Sequence, residues 1–146
     1  MEKGPSGARL SEKDAHDELQ GYTLGLADER FLHQHVVDAW MAQHADGRTR
    51  PIGLTFALVG LYLHVERGFS GRQVQRTHIF LARSKRAWPS LPLPEERGSV
   101  TASDVMAAEP GPARNRAIHA WCESVWESYR ESHQAVADLL KLHGVI

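Results

Sequence analysis

The segment PIGLTFALVGLYLHVERG, residues 51–68, is apolar almost all the way round a helix, so the rest of the chain must surround it. The remaining segments can do so, because their apolar residues recur at helical spacing and alternating, strand-like runs are hard to find. The expected fold class is all-α: a single helical bundle of four main helices plus one short helix. With 146 residues, 42% of them hydrophobic, the chain can build one core.

Local signals place the ends of the helices. Residues 1–10 contain Gly, Pro and Ser and are expected to be disordered, leaving residues 11–146 as the folded domain. Ser11 with Asp14 makes a capping pair for a first helix reaching about Leu24. Asp28 suits the N-cap of a second, which runs to about Ala45 before Asp46-Gly47. Pro51 opens the third and Gly68 closes it, and Ser70 with Gln73 forms a capping box for a fourth reaching about Arg86. Pro89, Pro92 and Pro94 then forbid helix, so AWPSLPLPEERGS is expected to lie as an extended strap pinned by Trp88, Leu91 and Leu93. Thr101 with Asp104 starts a short helix, and Gly111-Pro112 opens a final one reaching about His143, with room for a kink near Ser124 or Ser132.

Charge and cysteine usage narrow the function classes. Lys+Arg 17 against Asp+Glu 18 argues against a surface wholly devoted to nucleic acid or to an anionic membrane. No stretch approaches the roughly 20 apolar residues of a membrane span, and no apolar run follows Lys3 as a secretion signal requires. The single Cys122 can form neither an internal disulfide nor a thiolate zinc site, so the cytoplasm is the expected compartment. It shares a stripe with Ile118, Val125, Tyr129, Val136 and Leu140, the setting of an inert buried thiol.

The nine histidines are the unusual feature. On the third helix Gly53, Ala57, Gly60 and His64 form one stripe of small side chains, on which a neighbour can approach closely. If the second and third helices are antiparallel about a turn near residue 48, facing residues have numbers summing to about 97. His33 then stands level with His64, and Asp38 opposes Val59. The next turn brings Gln73 level with His64 and His78 level with Val59. Bundles build metal sites from imidazoles and carboxylates on facing helices, so His33, Asp38, His64 and His78 are the candidate ligands. The site would take a divalent transition metal (zinc, iron or nickel) or a small polar ligand. Trp126 and His133, with Gln43 and His44, are candidate pocket residues. No HExxH, Glu-x-x-His or CxxC spacing is present, so the competing reading is histidines that satisfy local hydrogen bonds or face solvent. His35 and Asp38 make a further i, i+3 pair able to share a proton or an ion.

Residues 67–86 carry six basic residues and no acidic one, which sets +6 there against −7 in the rest of a chain of net charge −1. The second functional reading is accordingly a non-enzymatic interaction module, whose basic helix 71–86 meets nucleic acid or an acidic partner. Arg72 and Arg76 would hold anions beside the free amides of a helix N-terminus. The plain alternative is a solvated face paired with the acidic first helix.

HQHVVDAWMAQH resembles the motif of an uncharacterised bacterial family of small helical proteins, in which a histidine precedes VDAY and then QH. The resemblance extends to GLYLHVE at residues 60–66, to LPLPxxRGxxTxxDV at 91–105 and to AWCESVWESYRESH at 120–133. It implies that His33, Val37, Asp38, Ala39, Gln43, His44, Trp121, Val125, Trp126 and His133 are family positions, with Trp40 where the motif has tyrosine. The family carries no assigned activity, so the resemblance implies a shape and a set of residues.

Overall fold

The computed structural model describes residues 11–146; the segment expected to be disordered, residues 1–10, lies outside the described residues. The described chain holds α1 (Glu12–Leu26), α2 (His33–His44), α3 (Pro51–Arg67), α4 (Gly71–Ala82), α5 (Ala102–Ala107), α6 (Pro112–Ser128) and α7 (His133–Leu142). A 3₁₀ turn, Arg130–Ser132, joins the last two. No strand occurs among the described residues, and no helix there is long and apolar enough to cross a membrane.

Helix α3 is the central element. Leu54, Leu58, Val59, Leu61 and Leu63 are all buried, and α2, α4, α6 and α7 pack around it. Its N-terminal Pro51 and left-handed Gly68 (φ 70°) end it where the sequence places them. The capping signals also act as expected. Ser11 accepts from the Asp14 amide, and both Ser70/Gln73 and Thr101/Asp104 form complete capping boxes.

Three elements depart from expectation. Helix α2 starts at His33, because the Asp28 carboxylate accepts from the Leu32 amide at 3.1 Å and Phe31 turns the chain through a left-handed conformation (φ 58°). Helix α4 stops at Ala82, four residues short of Arg86. The long final helix is broken after Ser128. The Tyr129 hydroxyl reaches in to donate to the Ala42 carbonyl at 2.6 Å, and the His133 ring N–H donates to the Trp126 carbonyl at 2.8 Å across the break. Among the described residues the count is therefore seven α-helices in place of four main and one short.

Residues 84–100 contain neither helix nor strand. Trp88 meets Phe56 edge-on and stacks on His143, while the Thr55 hydroxyl donates to the Pro89 carbonyl at 3.4 Å. Farther along, Gln43 donates to the Arg97 and Val100 carbonyls, and the Ser124 hydroxyl accepts the Ser99 and Val100 amides.

The start of α2 is seated on the start of α4. The Arg72 amide donates to the Arg30 carbonyl at 2.9 Å, and a Cβ on Gly71 would lie 1.8 Å from the Phe31 carbonyl oxygen. Backbone cannot move aside as a side chain can. Gly71→Ala is therefore expected to cost about 2–4 kcal/mol, read as a lower urea midpoint at unchanged slope.

Candidate functional site

Helices α2 and α3 approach most closely at Gly60, whose missing side chain leaves a notch for Asp38. A Cβ at position 60 would stand 1.9 Å from Asp38 Oδ2 and 2.6 Å from its carboxyl carbon. Asp38 is 3% exposed; Oδ1 accepts from Gln34 Nε2 at 3.2 Å, and Oδ2 is buried with no hydrogen-bond partner. One turn earlier on α2, His35 is 4% exposed, and its Nδ1 is likewise buried without a partner. Its ring stacks on His64 of α3 with centroids 3.7 Å apart. The buried Cys122 thiol of α6 donates to the His35 carbonyl at 3.7 Å.

From this seam a line of polar groups runs outward. His64 Nδ1–H donates to the Phe69 carbonyl at 3.4 Å, which leaves His64 Nε2 as the acceptor for His119 Nδ1 at 3.0 Å. The exposed Glu123 lies on the far side, its Oε2 3.4 Å from His119 Nε2. Donating to both neighbours at once requires both ring protons on His119.

Burial dominates the electrostatics. It pushes the Asp38 carboxyl well above the usual carboxylate range, and the single hydrogen bond from Gln34 opposes it weakly. Burial also pulls His35 down to about 3, helped by His64, Arg30 and His119. His64 falls to about 4, burial outweighing its bond to the Phe69 carbonyl. Burial, then Asp38 and Glu123, pushes the Cys122 thiol up, so the thiolate is suppressed and the group is an inert thiol. The His35 and His64 rings are thus neutral at neutral pH, beside a carboxyl whose ionisation is strongly opposed.

The four proposed metal ligands do not meet as a set. His33 Nδ1 is 2.9 Å from the Thr23 hydroxyl on α1, and the His78 ring N–H donates to the Phe56 carbonyl at 2.7 Å. Only Asp38 and His64 belong to the seam. Among the described residues no group of three or more His, Cys, Asp or Glu side chains is arranged to hold a metal ion. The proposed pocket residues are dispersed as well. Trp126 is buried against His133, with ring centroids 3.8 Å apart, and donates to Glu66; Gln43 accepts from Trp121 Nε1; His44 Nδ1 meets the Trp40 carbonyl at its helix end.

Neither is the α4 N-terminus an open anion site. The Arg72 amide is taken by Arg30 and the Gln73 amide by Ser70, while the Arg72 guanidinium lies 4.4 Å from the Phe31 ring and donates to Gln75. Arg76 is exposed on α4. The acidic first helix does not neutralise this face with Glu12 or Asp17: Glu12 accepts the Ala102 and Ser103 amides, and Asp17 pairs with Lys13.

The model of a family of unknown function, DUF5946, matches residues 11–130. The chain belongs to this family. No curated protein and no solved structure matches the chain. His35, Asp38, Gly60, His64, His119 and Cys122 all lie inside the stretch that the DUF5946 model matches, and His133 lies outside it.

The direction of each shift fixes how stability depends on pH. The imidazoles have lowered values, so their contribution is complete above 6.5 and is lost as pH falls toward about 4 and 3. Asp38 has a raised value, so its contribution is complete below 3.8 and is lost as pH rises through its folded value. Asp38→Asn, which cannot ionise, should gain on the wild type as pH rises from 4 to 8, by about 1.4 kcal/mol for each unit by which Asp38 is raised. His35→Phe should keep the ring stack and flatten the acid limb. Denaturant melts across that pH range measure both.

Proposed function

We propose that the chain is a small-ligand binding domain whose site is the seam between α2, α3 and α6. The observation that carries this reading is the pair of buried, unpartnered polar atoms, Asp38 Oδ2 and His35 Nδ1, one turn apart on α2. An unpartnered buried polar group costs about 1–3 kcal/mol, and a chain that retains two within one turn of a helix forgoes stability that apolar residues would supply. A ligand that pairs with both groups would recover it.

Neutral imidazoles and the Asp38 carboxylate, its proton released to solvent on binding, suit a divalent transition metal of the zinc, iron or nickel type; the same groups suit a small polar molecule with a donor and an acceptor. Of the residues expected from the sequence, Asp38 and His64 stay in this proposal because they lie on the seam; His35 replaces His33 and His78, which bond to Thr23 and to the Phe56 carbonyl away from it. His119 and Glu123 stand between the seam and solvent and would form the entry. The lone buried Cys122 fits a reducing compartment such as the cytoplasm.

Elemental analysis of untagged protein, followed by thermal melts with zinc, nickel, ammonium or acetamide, tests the reading. One of these should raise the melting temperature of the wild type, by about 2.7 kcal/mol of added stability at a hundredfold excess over Kd. The same ligand should leave Asp38→Asn unchanged, although that variant gains stability relative to the wild type as pH rises. Less than about a tenth of an equivalent of any transition metal, together with no shift from any of the four probes, rejects the proposal.

A further inference from the structure

A second surface, carried by different residues, has the makings of a docking site. Between the segment after α4 and helix α7 lies an apolar groove of about 580 Å³, floored by Trp88, Pro89, Leu139 and Leu142, with Arg86 and Asp138 on its rim. Leu142 is 62% exposed, far beyond what an apolar side chain at the end of a core helix needs. On α4, Ile79 and Phe80 are 54% and 50% exposed. Helical spacing places both on the face that carries Arg76 and Arg83.

The charge around these apolar groups is mostly positive, with Asp138 the acidic residue lining the groove. Arg76, Arg83, Lys85 and Arg86 are exposed, and none is in an ion pair among the described residues. Arg83, Lys85 and Arg86 continue from the end of α4 directly into the groove. His143 ties α7 to this turn, its Nε2 lying 3.4 Å from the Ser84 hydroxyl. Duplex phosphates would use the basic residues and leave the groove and Leu142 without a partner. A helix with an apolar face and an acidic face would use both.

We propose that this surface binds an acidic amphipathic helix of a partner protein, which seats an apolar side chain between Trp88 and Leu142 and lays its carboxylates on Arg83, Lys85 and Arg86. The apolar groove gives the hold, and the four unpaired cations give orientation and a fast, salt-sensitive encounter. Asp138, on the opposite rim, disfavours carboxylates there and so selects one direction for the bound helix.

The test uses the full chain and a synthetic peptide with leucines at i, i+4 and i+7 and glutamates on the other face. Controls are the same residues scrambled, a version with lysine for glutamate, and a 20-base-pair duplex DNA. The acidic amphipathic peptide should bind best, shift the tryptophan fluorescence of the wild type but not of Trp88→Phe, and lose at least about tenfold in affinity from 50 to 300 mM salt. Leu142→Asp and Arg86→Glu, both at exposed positions, should each weaken it about tenfold or more while melting like the wild type.

Equal binding of the scrambled peptide, or no peptide binding at millimolar concentration, overturns the proposal. So does duplex DNA binding that exceeds peptide binding and ignores Leu142→Asp, which would make the basic face a nucleic-acid surface. A concentration-dependent dimer abolished by Leu142→Asp overturns it in favour of a second copy of this chain.

Discussion

The arrangement of the centre rests on a carboxyl group pressed into the backbone groove of α3. Because Gly60 has no side chain, α2 can approach until Asp38 fills the space, and that approach sets the level of every other residue along the two helices. His35 comes to lie on His64, and the His35 carbonyl comes within reach of Cys122. Any residue but glycine at position 60 would force the helices apart or expel the carboxyl. The geometry that leaves Asp38 Oδ2 without a partner is therefore the same geometry that holds α2 against the most apolar helix.

This contact also shows why the candidate site was only half legible in the sequence. Equal spacing from a turn near residue 48 pairs His33 with His64, whereas the structure pairs Asp38 with Gly60 and His35 with His64. The slip is of one to two residues, produced by the particular path from His44 to Pro51, and such a slip replaces one histidine by another on a different helix face. His64 was recognisable at the end of the small-residue stripe, and Asp38 because the hairpin levels set it opposite Val59, one residue from Gly60. His35 was visible only as an i, i+3 neighbour of Asp38, and nothing in the spacing sets His119 apart from an ordinary helix-surface histidine.

Helix ends were more legible, since caps act locally. Ser11, Pro51, Gly68, Ser70 with Gln73, and Thr101 with Asp104 all serve where the sequence puts them. The failures have both tertiary and local causes. The final helix breaks where Tyr129 turns in to the Ala42 carbonyl, and α2 is delayed by an Asp28 side chain spent on the Leu32 amide. Likewise the acidic residues of α1 looked free to face the basic segment, but Glu12 is occupied with the first amides of α5. Tyr129 and Glu12 are thus used by distant parts of the chain, whereas Asp28 is used only four residues on, by a turn that competes with the helix start.

The lone thiol gives the seam a built-in clock. Cys122 is fully covered, its hydrogen is directed to the His35 carbonyl, and burial keeps it from ionising. An alkylating reagent can reach it only in moments when α6 has parted from α2. Its labelling rate would then report the frequency of that local opening, separately from global unfolding and without any added probe.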